Sequence, residues 1–449
     1  MERSTGDSSS GNEQVLFPAE AEAHVSSLVK FSIPDIGCTQ QWQRQREYLH
    51  KLNMQAVQNA SQQSDEFVKE FLISHEKLGV LIHELIAVRL WKDKVFSLLS
   101  EGGGQKPKST FPCYVVLYHE ATIINLLETV LFYKESVEAV GDVTLDLVDY
   151  CHQCVTWLIA NHETVPVEQQ TTDDTLQELQ QLNCTLNYGI SIKALSVLQS
   201  FVTNLDCLPL SVTTRLLNTH DIPGLLVSVM DQQPWVRKDK NGKLLKHIEG
   251  KWRDVSPADR LQLTKTEAQV WISLYQLLMS PECQKKYHLH AHNKNHIMRL
   301  RSHLLETVVD QIPQLSELQR YLGHLSVMDP PASSSSDLVL EQVPEIYDQL
   351  VRQNNNQWRK IADQQRKKLF LPSDSDLQQQ AKRWVEACNW DVLETLSGDA
   401  PKCAQCGQTS AMKRCSRCRS EWYCGRECQV KHWKKHKPFC DTISSSTPH

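Results

Sequence analysis

The chain has 449 residues, of which 40% are hydrophobic and 22% charged, with a formal net charge of −5. This composition is that of a folded globular protein, and the length suffices for one large helical core or two ordinary ones. No stretch approaches 18 uncharged apolar residues, and residues 1–14 contain no apolar signal core, so we expect neither a membrane span nor a secretory signal.

Shifts in composition divide the chain into segments of different character. Polar, Ser/Gly-rich or Pro-rich stretches mark the predicted tails and linker, and apolar periodicity marks the folded parts. The predicted segments are a disordered tail at 1–14, a helical domain at 15–328, a Ser/Pro linker at 329–337, a helical segment at 338–398, a small cysteine-rich module at 399–441 and a disordered tail at 442–449.

Helical periodicity runs through most of the chain before the cysteine-rich module. Apolar residues recur at helical spacing between Phe67 and Val88. A second helix is predicted to begin at Asp142 as its N-cap. A third is predicted to begin at Ser256, with Pro257 in the first helical position and Asp259 completing a capping box.

Two segments, 123–133 and 192–202, are apolar on more than one face, so we expect both to lie between other helices. Helices with two-sided burial and short polar connections are typical of an α-solenoid. The fold class is therefore predicted to be mainly α, an armadillo- or HEAT-like domain. No self-similarity of the length of such a repeat is found, so we expect a degenerate stack.

Residues 234–255 break the helical pattern. The Asn241–Gly242 dipeptide separates two runs that alternate apolar and charged residues, which predicts a β-hairpin. Trp235 and Trp252 would flank it. The hairpin is either an ordered insertion that closes over the helices, which we favour, or a flap that binds a partner.

The C-terminal region contains seven cysteines and one histidine in metal-ligand spacing. Two CxxC pairs are followed by a CxxxC and an HxxxC, and eight such donors match two tetrahedral zinc sites. Because protein ligands fill all eight positions, both sites would be structural. Spacing alone leaves open whether successive pairs share a metal or the two sites interleave. The predicted ligands are Cys403, Cys406, Cys415, Cys418, Cys424, Cys428, His436 and Cys440.

Residues 403–440 resemble a MYND zinc finger across their whole length, including the string WYCGRECQVKHWKKHKPFC. The resemblance implies a cross-brace. One zinc ion would be bound by Cys403, Cys406, Cys424 and Cys428, and the other by Cys415, Cys418, His436 and Cys440. His432 lies four residues from His436 and is the alternative ligand, but the family spacing favours His436.

The MYND resemblance also implies a protein-interaction module that binds short proline-containing peptides. It would place the binding groove at Tyr423, Gln429 and Trp433. The alternative for Trp433 is packing between the two zinc sites. Between Lys402 and Cys440 ten basic and two acidic residues give a charge of +8, so the rest of the chain carries −13. The absence of a C2H2-type reading helix and of interleaved aromatics argues against nucleic acid, and the basic rim favours acidic partners.

The sequence indicates no catalytic centre. Cys151 and Cys154 form a CxxC, but they lie in an amphipathic helical segment without a βαβ context, so we interpret them as buried structural thiols. MYND fingers also occur in lysine methyltransferases, which makes an enzyme the rival class. The SET-domain features of those enzymes are not found in this sequence, and we expect a protein without enzymatic activity.

The whole arrangement, a helical domain followed by a terminal finger, resembles a MYND-finger family of axonemal dynein assembly factors. The stretches that carry this resemblance best are the finger, 218–243 and 382–401. It implies a cytoplasmic, co-chaperone-like protein that is needed for motile cilia and concentrated near the centrosome and centriolar satellites. Its partners would be other assembly factors, chaperones and co-chaperones, with dynein chains as clients. The alternative is a nuclear transcriptional corepressor adaptor that docks peptides through the same finger.

Overall fold

The structure is a computed structural model. It describes residues 15–101, 106–167, 174–239, 242–257, 259–287, 289–327, 342–387, 403–406, 408, 413–418 and 421–444. The predicted tail at 1–14, the predicted linker at 329–337 and Asn241 lie outside the described residues. The mainly α fold with a C-terminal finger is confirmed.

Helices account for most of the described chain, with two small sheets between them. The helices are α1 (Pro18–Ser26), α2 (Gln40–Gln62), α3 (Phe67–Ser74), α4 (Leu78–Trp91), α5 (Ser97–Glu101), α6 (Phe111–Val130), α7 (Lys134–Val140), α8 (Thr144–Asn161), α9 (Thr175–Thr203), α10 (Leu210–Thr214), α11 (Ile222–Gln232), α12 (Lys265–Met279), α13 (Pro281–Lys286), α14 (Ala291–Met298), α15 (Glu306–Gln311), α16 (Leu315–Val327), α17 (Ile346–Gln353), α18 (Trp358–Leu369), α19 (Asp374–Ala387) and α20 (Arg426–Ser444). The strands are β1 (Val236–Lys238), β2 (Leu244–Ile248), β3 (Lys251–Asp254), β4 (Lys413–Arg414) and β5 (Trp422–Tyr423).

The chain forms two compact units. The first contains residues 1–28, 43–71 and 372–449, and the second contains residues 29–42 and 72–371. The segment boundaries predicted from composition stay predictions. The armadillo- or HEAT-like detail also stays a prediction, because helices of five to 29 residues do not show a regular repeat.

Helix α9 is central to the second unit and packs against α6, α8 and α12. It begins where the side chain of Asp174 accepts a hydrogen bond from the Leu176 backbone N–H at 3.0 Å, which satisfies one of the free donors of the first turn. Its C-terminal half buries Leu195, Leu198 and Phe201. The predicted burial of 192–202 between other helices is therefore confirmed.

Buried charges accompany a π-helical turn at Lys92–Phe96, between α4 and α5. Lys92 is buried and donates to Glu120 and, at 2.6 Å, to the Asn187 amide oxygen. The Tyr150 hydroxyl donates to the second carboxylate oxygen of Glu120 at 2.8 Å. A buried carboxylate and ammonium are tolerated in a core only when they are paired and hydrogen-bonded in this way.

The hairpin predicted at 234–255 is confirmed, but the structure adds a third strand. The antiparallel sheet has the order β1-β2-β3, with Val236 opposite Lys246 and His247 opposite Trp252. The second turn was missed by the sequence analysis. It is formed by Glu249 and Gly250, both with positive φ. Glu-Gly is not one of the Asn-Gly, Asp-Gly or Gly-Gly pairs that signal a two-residue hairpin turn, so the sequence carried only the glycine as a hint.

Two predicted helix starts are wrong. Asp142 is exposed in a 3₁₀ turn, and α8 begins at Thr144 without a side-chain cap. Ser256 and Asp259 bond to each other in a turn, and α12 begins only after Thr264, whose hydroxyl accepts from the Glu267 N–H at 3.1 Å.

The apolar helical spacing between Phe67 and Val88 is divided between two helices, α3 and α4. Glu76 has a φ of 55° and separates α3 from α4, because a left-handed residue cannot continue a right-handed helix. The apolar residues Leu78, Leu81, Leu85 and Val88 all lie in α4 and are buried, so the helical spacing predicted for them is confirmed.

In the first unit the helix that leads into the finger packs against both α2 and α20. The Arg46 guanidinium of α2 lies 5.1 Å from the ring centre of Trp384 in α19, and the His50 ring stacks on the same indole at 5.7 Å. Helix α19 also contacts α20. The N-terminal helices, the lead-in helix and the finger are therefore parts of one compact unit.

Candidate metal centre

The first zinc-binding cluster consists of four cysteines near the surface of the finger, whose sulfur atoms all lie within 4.8 Å of one another. The Sγ atoms of Cys406 and Cys424 are 3.3 Å apart. Four thiolates around one tetrahedral zinc ion would be about 3.8 Å apart. The geometry fits such an ion after a small adjustment. The members are Cys403, Cys406, Cys424 and Cys428.

The second cluster has three cysteines and one histidine, and all four are buried. The Sγ atoms of Cys415 and Cys440 lie 3.9 Å apart, and Cys418 Sγ lies 3.3 Å from His436 Nε2. A tetrahedral zinc ion would place two thiolates about 3.8 Å apart and a thiolate about 3.6 Å from an imidazole nitrogen. This cluster therefore fits zinc without rearrangement.

The local fold interleaves the two clusters along the chain. The β4–β5 ladder pairs Lys413 with Tyr423 and is followed by Cys424 of the first cluster. Helix α20 then supplies Cys428 to the first cluster, and His436 and Cys440 to the second. The structure thus excludes the pairing of successive CxxC turns on one metal and gives the cross-brace that the MYND resemblance implied.

Hydrogen bonds prepare one sulfur in each cluster for metal binding. Burial opposes ionisation of Cys403, but the backbone N–H groups of Cys424, Cys406 and Gln405 lower the pKa of its thiol to about 6. Backbone donors in the Cys418 turn likewise outweigh burial and lower the pKa of Cys415 to about 6. Since zinc binds thiolates, such backbone donors favour the ligand form of both sulfurs.

His432 is placed beside the second cluster but is not a member of it. Its Nδ1 lies 3.1 Å from the Tyr423 hydroxyl oxygen, and its ring stacks on that of His436 at 6.1 Å. His436 is therefore the histidine ligand, and His432 supports it from outside.

The three predicted partner-binding residues occupy different environments. Tyr423 is 1% exposed and belongs to the core of the finger. Gln429 and Trp433 are half-buried in neighbouring turns of α20. The Trp433 ring packs against the cysteine cluster and lies 5.9 Å from that of His436. Packing and partner contact by Trp433 are both compatible with this position, and the groove stays a prediction.

One exposed residue was missed by the sequence analysis. Val430 follows Gln429 and is 65% exposed, an apolar side chain beside the exposed basic residues of α20. The signal was available, since a helical wheel of α20 places Val430 next to Arg426 and Lys437 and away from the ligands.

The CxxC at Cys151 and Cys154 is confirmed as a pair of buried thiols. Both side chains are fully buried in α8, and burial raises the pKa of each. Within the described ranges, groups of three or more potential metal ligands are found only at the two finger clusters.

The fold and the clusters define a class: a mainly helical protein with a two-zinc MYND finger. The pattern of the MYND finger family matches residues 403–440. The chain is 33% identical to the zinc finger MYND domain-containing protein 10 homolog of Drosophila melanogaster, over 94% of this chain and 98% of that protein. The chain belongs to the family of zinc finger MYND domain-containing protein 10.

Other similarities cover about a tenth of the chain. Egl nine homolog 1 of Mus musculus is 45% identical over 49 residues, which are 11% of this chain and 12% of that protein. Histone-lysine N-methyltransferase ASHR1 of Arabidopsis thaliana is 40% identical over 43 residues, 10% of this chain and 9% of that protein. No solved structure matches the chain. In the described part of the chain, no helix combines the length and apolarity needed to cross a membrane.

Proposed function

We propose that this protein is a non-enzymatic interaction scaffold that acts as a cytoplasmic assembly factor for axonemal dynein arms. The finger would be its docking module. The observation that carries the proposal is the architecture: both zinc-binding clusters are closed by four protein ligands, and they sit in a chain that matches its family over nearly the full length. Closed sites hold structure and leave no coordination position for a substrate.

The surface of α20 supports docking of a peptide. Val430 is exposed, and Gln429 beside it can supply amide hydrogen bonds. Exposed Lys431, Lys435 and Lys437 surround this surface with positive charge. An apolar contact within a basic rim suits a partner segment that carries acidic residues.

The partners we propose follow from the family resemblance of the full chain. They are other dynein assembly factors, chaperones and co-chaperones, with dynein chains as clients, in the cytoplasm and near the centrosome or centriolar satellites. The alternative is a nuclear corepressor adaptor that uses the same finger. The two differ in what the finger captures: assembly factors and dynein chains in one case, chromatin proteins in the other.

A pull-down with full-length Trp433→Ala from ciliating cells tests the docking role. We expect the variant to keep two zinc ions and to lose its assembly partners, because the exposed part of the indole supplies contact area. Glu427→Ala, an exposed change on the same helix outside the basic rim, is the matched control and should keep both. Zinc and captured proteins are measured on the same preparations.

The outcome of this pull-down distinguishes the possible roles of Trp433. Loss of zinc from Trp433→Ala would show that the indole packs the metal sites, and unchanged capture would place the partner surface outside the groove. Capture of chromatin factors in place of dynein chains and chaperones by the wild-type protein would support the corepressor alternative.

A further inference from the structure

The second unit contains a groove that the finger's function does not use. Its volume is about 1440 Å³, and it lies between the β1–β3 sheet and helices α9 and α12. One wall is aromatic, where Tyr188 packs edge-on against His247 with ring centres 5.0 Å apart, and Trp252 lies 5.3 Å from His247. Ile248 is exposed at its edge. Grooves lined by aromatic side chains recur in domains that bind extended peptide segments.

The guanidinium of Arg237 packs against this aromatic wall, and only part of it is hydrogen-bonded. Its guanidinium carbon is 4.6 Å from the ring centre of Trp252 and 5.7 Å from that of Tyr188, and its Nη1 donates to the Val165 carbonyl. Its Nε and Nη2 are buried and have no hydrogen-bond partner among the described residues. These two groups form one edge of the guanidinium, the edge that binds both oxygens of a carboxylate.

The same edge is filled elsewhere in this unit. Arg215 uses its Nε and Nη2 to hold the two oxygens of Asp149 at 2.5 and 2.7 Å. Buried donors are normally satisfied, and an arginine that presents this edge without an acceptor calls for an explanation. The comparison with Arg215 indicates that a carboxylate fits this edge of Arg237.

The charged residues that line the groove also favour an acidic ligand. Each acidic residue of its lining is already engaged: Glu128 by Lys193 at 2.8 Å, Glu249 by Arg253 at 2.8 Å, and Asp239 by the Lys243 backbone N–H at 2.7 Å. Exposed Lys238 and Lys265, also in the lining, have no ion pair with any described residue. The lining contains four lysines and three carboxylates, and two of these carboxylates pair with basic side chains, so the net charge of the groove is positive.

We propose that this groove binds an acidic segment of a partner protein, with Arg237 receiving an aspartate or glutamate side chain through its Nε–Nη2 edge. Trp252 both covers the guanidinium and forms a wall of the groove, so the carboxylate enters as the indole turns aside. Apolar side chains of the segment would pack on Tyr188 and Ile248, and Lys238 and Lys265 would face its further acidic residues. This surface is separate from the finger, and the proposal does not depend on the finger's partners.

The test is a selection of short peptides from a random phage-displayed library on the full-length, zinc-loaded protein. We expect the enriched peptides to share an acidic residue. Their synthetic copies should bind Arg237→Lys roughly tenfold or more weakly, because lysine keeps the charge and loses the two-pronged edge. Arg253→Lys, on the neighbouring strand, is the matched control and should bind as wild type. The thermal midpoint of each variant shows that it is folded.

Arg237→Gln serves as a second variant should Arg237→Lys be unstable. Peptides without acidic residues, or acidic peptides that bind Arg237→Lys as tightly as wild type, would overturn the proposal. So would acidic peptides whose binding is lost in Trp433→Ala alone, since those bind the finger. Arg237-dependent binding of a labelled single-stranded oligonucleotide, with no acidic peptide enriched, would assign the same edge to a phosphate and reject the protein partner.

Discussion

At the scale of single residues, Asp221 shows how one side chain can fix a helix start. It has a left-handed φ of 43° and caps α11 by accepting from the Gly224 N–H at 3.2 Å. The same carboxylate oxygen accepts from the Tyr287 hydroxyl at 2.6 Å. A Cβ added to Gly224 would lie 2.6 Å from the other carboxylate oxygen of Asp221. A shift of the carboxylate away from this Cβ would weaken the two hydrogen bonds that hold it.

Gly224→Ala should therefore destabilise the second unit by about 1–2 kcal/mol, the usual cost of losing a helix cap. The matched control is Gly323→Ala in α16, where an added Cβ meets no atom within 4 Å. That change should stabilise by roughly 0.5–1 kcal/mol, because alanine is the better residue inside a helix. Urea unfolding of both variants measures the difference, and equal effects would refute the assigned cap.

The stability of the second unit should depend on the protonation of His247. Burial between Tyr188 and Trp252 lowers the pKa of its imidazole to about 4, and the cations Arg237 and Lys193 act in the same direction. The unfolded chain, with a pKa near 6.5, therefore binds a proton more readily than the folded one. Above about pH 6.5 both states are neutral and the group has no effect; as the pH falls from about 6.5 to 4, the folded state loses stability.

The wild-type protein should thus lose roughly 3 kcal/mol relative to His247→Gln between pH 7 and pH 4, since each pKa unit corresponds to about 1.4 kcal/mol. Urea unfolding of the two proteins across this range gives the difference directly. If this difference did not change with pH, the imidazole pKa of His247 would be the same in the folded and the unfolded protein.

At the scale of elements, α20 connects the two zinc-binding clusters. It carries Cys428 of the first cluster, His436 and Cys440 of the second, and His432 beside them. Because one rigid helix supplies ligands to both metals, each metal fixes the position of the other's ligands. Sequence spacing was sufficient to find these donors, since tetrahedral thiolate sites require a narrow set of separations, but it left the choice between the two histidines to family resemblance.

Substitutions of His432 and His436 can show which of these two histidines of α20 binds zinc. His436→Ala should lose the second zinc ion and unfold α20, whereas His436→Cys should keep two, because thiolate replaces imidazole as a zinc ligand in many structural sites. His432→Ala is the matched control and should also keep two, with only the Tyr423 hydroxyl losing its partner. Zinc released on denaturation is counted in each purified variant. One zinc ion in His432→Ala and two in His436→Ala would reverse the assignment.

The start of α12 shows why local signals misplaced elements. Ser256 and Asp259 do form the expected side-chain contacts, but the helix begins later. Lys246 of β2 donates to the Arg260 and Gln262 carbonyls at 2.7 and 2.6 Å, which takes acceptors that a helix through this segment would need. The competing donor, Lys246, lies in β2, outside the few residues that a helix-start signal spans, so the capping pattern at Ser256 could not reveal it.

At the scale of the whole molecule, the finger and the helical character of the chain could be predicted, but the grouping into units could not. Composition breaks mark where a chain is polar, and they do not show which distant segments pack together. The first unit joins residues 43–71 to 372–449, and its contacts include Arg46 and His50 on Trp384. Such cation–π and stacking contacts depend on three-dimensional proximity and leave no periodic trace in the sequence.

The two units also differ in what stabilises them. The clusters of the first unit depend on zinc, which contributes about 10–16 kcal/mol per site in zinc-finger peptides. The second unit has its own large core, with Phe201, Trp271 and Leu127 fully buried.

Removing zinc with a chelator should therefore abolish a calorimetric transition of the first unit and leave that of the second unchanged. Most of the helical circular dichroism should remain, because α4 to α18 belong to the second unit. Added zinc should restore the lost transition; a single transition that shifts as a whole on chelation would instead show that the two units unfold together.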